Sequence, residues 1–152
     1  MRDILFRGKR KDNGEWIEGY YAIQSNHACF AHELKHQHFI FKDVCLDFNL
    51  GGLQNFEVIP ETVGQYTGLT DKDGKKIFEG DIVVCKQAIN GNLIDYYVEI
   101  GFVEMKYGAF GLHRKQGYYR PFKDWLEDYE YEVIGKIHDN PELLKEGDES
   151  DT

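Results

Sequence analysis

Tyr66-Thr-Gly-Leu-Thr-Asp-Lys-Asp-Gly-Lys-Lys-Ile-Phe-Glu-Gly-Asp-Ile-Val-Val84 reads as a strand, a tight turn around Asp73-Gly74, and a lead-in through Glu79-Gly80-Asp81 to an apolar β-branched strand. Asp-Gly supplies the positive φ that a tight turn demands. Ile82-Val83-Val84 suits a pleated, buried surface. This is the grammar of small, strongly bent β-barrels, and it speaks to architecture rather than chemistry.

Outward from that stretch the same grammar recurs. Asp3 to Gly8 reads as a short strand, Lys11-Asp12-Asn13-Gly14 as a turn, and Glu15 to Ile23 as the return strand. Gln37–Phe41 and Val44–Phe48 read as strands separated by Lys42-Asp43, and Asn49–Asn55 as a loop around Gly51-Gly52. Phe56–Ile59 is a further strand stopped by Pro60, which cannot donate to a ladder. Gln87–Asn92 reads as a loop, Ile94–Lys106 as a long strand with Gly101 marking a bulge or barrel corner, and Ala109–Arg114 as its return. Pro121 to Tyr129 places Phe122, Trp125, Leu126 and Tyr129 at helical spacing and predicts one short amphipathic helix. Glu132–His138 reads as a late strand, and Asn140-Pro141-Glu142-Leu143-Leu144 as an N-capped closing turn. Lys11 to Gly19 echoes Lys72 to Gly80, through either duplication of a β unit or two hairpins sharing turn chemistry.

The composition agrees: ten Tyr, ten Phe and sixteen Gly in 152 residues favour strands and tight turns over a helical bundle. No apolar run reaches membrane-spanning length, and the N-terminus lacks the features of a signal peptide, so a cytoplasmic protein without membrane contact is expected. Cys29, Cys45 and Cys85 form an odd, unpaired set, which reads as free thiols. A net charge of −9 argues against nonspecific phosphate binding, although Arg2, Arg7, Lys9, Arg10 and Lys11 cluster against Asp3 alone.

Three segments together carry a family resemblance. Ile59 to Val84, the opening Ile4-Leu5-Phe6-Arg7-Gly8-Lys9 with Trp16-Ile17-Glu18-Gly19-Tyr20, and the closing Glu132 to Leu144 resemble the YopX family of phage and prophage proteins. The resemblance leaves Gln24–Gln54 unaligned. It implies a mostly β protein with SH3-like barrel character, encoded in a phage or prophage of a Gram-positive-type host, and it implies no catalytic residue. Gly64, Tyr66, Thr67, Gly68, Gly80 and Asp81 match the family pattern, and turn geometry and packing account for such residue types.

The expected fold is therefore mainly β: a small SH3-like barrel or roll with an additional β meander and one or two short helices. The expected domain is a single compact unit over 1–146, with two β sub-lobes at about 1–58 and 59–146 as the variant reading. Residues 147–152 read as an acidic flexible tail.

Chemistry-bearing patterns are sparse. His27-x-Cys29-x2-His32-x3-His36-x-His38 with Cys45 offers zinc-type ligands, of which His32, His36, His38 and Cys45 are the candidates. Neither a Cys-x2-Cys nor a complete Cys2His2 frame is present, so a polar β insert is expected and no metal or cofactor. Serine occurs only at Ser25 and Ser150, and no phosphate-binding glycine loop appears. The expectation is a non-enzymatic phage or prophage accessory protein that self-associates and binds an unidentified phage or host protein. Arg7, Lys9, Arg10, Trp16, Tyr20, Tyr119 and Trp125 are the candidate interaction residues. One alternative is a nucleic-acid-binding small barrel using the basic N-terminal segment; another is an acidic DNA mimic that inhibits a host protein.

Overall fold

A computed structural model describes residues 3–26, 35–44, 52–89, 92–114, 117–122 and 129–145. Their strands are β1 (Phe6–Lys9), β2 (Trp16–Asn26), β3 (Lys35–Val44), β4 (Gly52–Glu57), β5 (Gly64–Thr70), β6 (Lys76–Phe78), β7 (Asp81–Ile89), β8 (Asn92–Lys106), β9 (Ala109–Arg114), β10 (Tyr119–Pro121) and β11 (Tyr129–Lys136). Hydrogen bonding orders them β4-β3-β2-β1-β5-β6 and β10-β9-β8-β7-β11, and the described strand pairs are antiparallel. The chain divides into two compact units, Met1–Tyr66 and Thr67–Thr152.

In the first unit β1 and β2 form a hairpin closed by the 11–14 turn, where Gly14 has φ 74°. The meander continues through β3 and β4, and then returns to the end of β1 at one isolated bridge, Arg10 to Val58. There Lys11 N–H donates to Glu57 O and Ile59 N–H to Lys9 O, both at 2.9 Å. Among the described residues neither sheet closes into a barrel, and this bridge links the segment after β4 to the segment after β1. Ile17, Ile40 and Val58 form the core, with Tyr21, Phe56 and Val63 packed around it. Each such buried aliphatic side chain contributes about 1.5–3 kcal/mol relative to exposure.

Two expectations fail in this unit. Lys42-Asp43 does not interrupt β3, and Gly52–Asn55 is strand rather than loop. Lys42 pairs with Gln54, Asp43 with Leu53 and Val44 with Gly52, so lateral pairing supplies what the weak β propensity of Gly, Gln and Asn does not. Residues 45–48, the rest of the second expected strand, lie outside the described residues.

In the second unit β7, β8 and β9 form consecutive hairpins, with β10 beside β9 and β11 beside β7. Ile77, Val83, Cys85, Val103, Phe110, Leu112, Phe122 and Tyr131 make the core. The bulge expected at Gly101 is absent; the irregularity lies between Lys86 and Gln87, whose partners jump from Val98 to Ile94. Gly101 is in the regular ladder, and it has to be small. A Cβ there would sit 2.4 Å from His113 O and 2.9 Å from Leu112 Cγ.

The turn of the opening stretch is held by one buried carboxylate. Asp71 Oδ1 accepts the N–H groups of Asp73 and Lys75, both at 2.9 Å, and Oδ2 accepts that of Val133 on β11 at 3.2 Å. Burial pushes this carboxyl up, but the backbone donors of Lys75, Val133 and Asp73 and the Lys75 charge outweigh it and hold Asp71 below the usual range. The closing turn Pro141–Leu144 is a 3₁₀ turn with Asn140 ahead of it, and the Asn140 side chain makes no cap bond. Another 3₁₀ turn covers Pro60–Thr62. The ends of the expected 121–129 helix are strand instead, Pro121 closing β10 and Tyr129 opening β11, and residues 123–128, Trp125 among them, lie outside the described residues. No described helix is long and apolar enough to cross a membrane.

Candidate interaction surface

Strand pairing sorts the residues of the first unit onto two faces. Arg7 lies opposite Glu18 and Lys9 opposite Trp16, so these four share a face with Tyr20, two residues further along β2. Tyr20 in turn pairs with Phe41, Ala22 with Phe39, and Asp43 with Leu53. Ile17 and Ile40 point the other way, into the core. The outer face thus carries Trp16, Tyr20, Ala22, Phe39, Phe41 and Leu53. Tyr20 is 55% exposed and Leu53 62%, while Trp16, Phe39 and Phe41 are half-buried. The Phe39 and Phe41 rings are 6.5 Å apart.

The neighbouring cations are engaged with rings and carboxylates. The Arg7 guanidinium lies 4.9 Å and the Lys9 ammonium 6.0 Å from the Trp16 ring centre, and Arg7 is only 5% exposed. Arg10 stacks on Phe56 at 4.5 Å and makes a bidentate pair with Asp12, Nε to Oδ1 at 2.9 Å and Nη2 to Oδ2 at 2.6 Å. That bond raises the Arg10 pKa and lowers that of Asp12. Lys11 bonds Glu57 at 2.7 Å. The basic cluster read from the sequence is therefore offset locally by Asp12, Glu15 and Glu57.

The structure brings Arg7, Lys9, Trp16 and Tyr20 together on one face of the first unit. Tyr119 is in the second unit, where its hydroxyl donates to Ala109 O and Lys106 O and clamps the β8–β9 turn. Trp125 lies outside the described residues. The family-pattern residues occupy structural positions. Thr67 Oγ1 donates to Ile77 O at 2.8 Å and accepts Leu69 N–H at 3.1 Å. Asp81 is fully buried and its Oδ2 accepts Phe78 N–H at 2.8 Å. Gly68 and Gly80 have φ of 89° and 79°, a region that side chains disfavour. Gly64 is buried opposite Arg7, and Tyr66 N–H donates to Leu5 O.

Of the metal-type candidates, the described residues include His36 and His38, both on β3. His36 Nδ1 shares a 3.0 Å bond with Ser25 Oγ, and His38 Nδ1 bonds the Tyr21 hydroxyl. His32 and Cys45 lie outside the described residues, and among the described ones no group of three or more ligating side chains forms.

One cluster of reactive types escaped sequence reading. Pairing places Tyr131 opposite Cys85 and Cys85 opposite Glu99, and Glu99 bonds Arg114. Burial, then the Glu99 charge, pushes the Cys85 thiol up to about 12. Burial likewise pushes the Tyr131 phenol up. Both groups stay protonated at neutral pH, so neither is an activated nucleophile or base. Alternation along β7 and β8 was the available signal, but only the register brings the residues side by side.

A sequence model of the YopX protein family matches residues 5–145. The chain belongs to the YopX family. Among solved structures, this YopX-family chain is similar to protein EF1440 from Enterococcus faecalis, with 22% identity, 95% of this chain and 100% of that one covered, and a TM-score of 0.48. No curated protein matches it.

Proposed function

We propose that this chain is a non-catalytic accessory protein of phage or prophage origin, which self-associates and binds another protein against the outer face of β1–β4. The observation that carries the reading is the aromatic row Trp16, Tyr20, Phe39 and Phe41 with Leu53, held on a sheet face that the core does not use. Aromatic side chains lose little entropy when they dock and dominate protein interfaces. The Arg10–Val58 bridge supports reading the first unit as a small barrel left open, which leaves such a face available.

The local charge favours a protein over a nucleic acid. Arg10 and Lys11 are paired with carboxylates and Arg7 is buried beside Trp16, whereas phosphate binding needs cations offered to the ligand. The test uses the purified full chain immobilised and exposed to host lysate. Wild type retains a specific protein, which then binds in isolation by calorimetry, and Tyr20→Ser with Phe41→Ser abolishes that binding without altering the far-UV circular dichroism. Equal retention by wild type and the double variant would overturn the reading. So would salt-sensitive binding of a single-stranded oligonucleotide that disappears with Arg7→Ala, Lys9→Ala and Arg10→Ala together.

A further inference from the structure

The strands at the sheet edges are not equivalent. β6 and β10 have three residues each, and β10 ends on Pro121, which has no N–H to offer. β11 is sealed: Lys72 N–H donates to Tyr131 O at 2.9 Å, and Val133 N–H donates to Asp71 Oδ2. β4 has six residues, Gly-Leu-Gln-Asn-Phe-Glu, with no Lys, Arg, Pro or register shift, and residues 52–55 are exposed. An edge of this kind is a template for another strand.

The register fixes which backbone groups it presents. Val58 N–H donates to His38 O at 2.8 Å, and alternation from that pair directs the groups of Phe56, Gln54 and Gly52 toward β3. Leu53, Asn55 and Glu57 therefore point theirs outward. Glu57 agrees, since its C=O accepts Lys11 N–H. No described residue hydrogen-bonds the outward backbone of Leu53 or Asn55.

We infer that the outer edge of β4 is where this chain binds a second copy of itself, β4 against β4, antiparallel about a two-fold axis at Gln54. Residues 52–56 are self-complementary in that arrangement. Leu53 faces the partner's Asn55, Gln54 faces the partner's Gln54, and Gly52 faces the partner's Phe56. The outward groups of Leu53 and Asn55 coincide with those of their opposites, so each such pair exchanges N–H···O=C bonds in both directions. The chain carries −9, yet residues 52–56 hold no ionisable side chain, so the two copies meet where like charges do not oppose each other. Leu53 shares its face with Phe41, so the pairing lengthens the aromatic face. The inference rests on the self-association proposed above and is independent of what the aromatic face holds.

Sedimentation equilibrium of the full chain over a concentration series is the test. Wild type follows a monomer–dimer equilibrium. Asn55→Pro removes an outward N–H without touching a bond to β3, and Leu53→Lys puts a charge on the edge; both are expected to sediment as monomers with unchanged circular dichroism. Tyr20→Ser is expected to dimerise like wild type. Gln54→Cys, in a chain with Cys29→Ser and Cys45→Ser, is expected to form an intermolecular disulfide on mild oxidation. Opposite residues of a pair not bonded to each other lie about 4.5 Å apart at Cα, within disulfide range. Should Asn55→Pro fail to fold, Leu53→Lys and Gln54→Cys decide. A wild-type chain that stays monomeric overturns both the edge and the self-association. A dimer that survives the edge substitutions, or that Tyr20→Ser alone abolishes, overturns the edge and leaves self-association standing.

Discussion

β4 and β11 both border a sheet, and the chain treats them in opposite ways. On β11 the outward groups of Tyr131 and Val133 are taken by the turn at 71–72, charges stand at Glu130 and Glu132, and a register shift follows Val133. On β4 the outward groups of Leu53 and Asn55 meet no described residue, and residues 52–56 of the strand carry no ionisable side chain. The second unit spends its polar groups on internal closure. The first leaves the outer edge of β4 without a described backbone partner and exposes Tyr20 and Leu53 on its outer face.

Substitutions in the sealed unit should therefore act on stability, and those on the open face should not. Ile77→Ala in the second core is expected to lose about 3–4 kcal/mol, from lost transfer energy plus a cavity, by urea denaturation. Tyr20→Ala on the open face is expected to change stability by less than about 0.5 kcal/mol. Similar losses at the two positions would erase the contrast.

Asp71→Ala is expected to cost about 2 kcal/mol near neutral pH, because it strands the donors of Asp73, Lys75 and Val133. Amide hydrogen exchange at Val133 should accelerate in step. The native pKa of Asp71 is lowered, so its contribution is complete above the ordinary carboxylate value of about 4 and fades as pH falls through the lowered native value. The stability difference between wild type and Asp71→Asn should narrow on acidification below about pH 4; a constant difference would show that the carboxylate charge is not what holds the turn.

A smaller effect of opposite sign is expected at the β8–β9 tip. Tyr107 has φ 52° and is 89% exposed, followed by Gly108 at φ 79°. Asn accepts that backbone more readily, so Tyr107→Asn should gain about 0.5–1 kcal/mol in thermal or urea unfolding. The smallest effect is at Cys85, whose buried thiol is expected to resist iodoacetamide at pH 8 and to react only once urea unfolds the chain, as read by mass spectrometry.

What the sequence showed and hid follows the range of the interactions. The Asp73-Gly74 turn, the β7 strand and the β9 return are legible because turn chemistry and β-branched runs act locally. β4 was hidden because Gly52, Gln54 and Asn55 become strand only through pairing with β3. Gly101 stands out in the sequence as a glycine within a strand, but its constraint is the approach of His113 O from a strand that sequence spacing does not place. For the candidate surface, Trp16 and Tyr20 were readable from alternation along β2. Phe39 and Phe41 join them only through the β2–β3 register, and the neutralisation of Arg10 and Lys11 depends on carboxylates at Asp12 and Glu57 whose geometry the sequence leaves open.

The Asp71 latch also sets an order of events. Its bonds to Asp73 and Lys75 are local, two and four residues away, but the bond to Val133 spans 62 residues. In chain order β7, β8 and β9 all precede β11, so the third bond of the latch has no partner until β11 has been made. Contacts of such long sequence separation slow folding, since chain closure must be paid before they form. A stalled or truncated chain lacking β11 exposes the unfilled side of that carboxylate together with the edge of β7 that β11 covers, which gives a nascent or broken copy a surface the finished protein does not have.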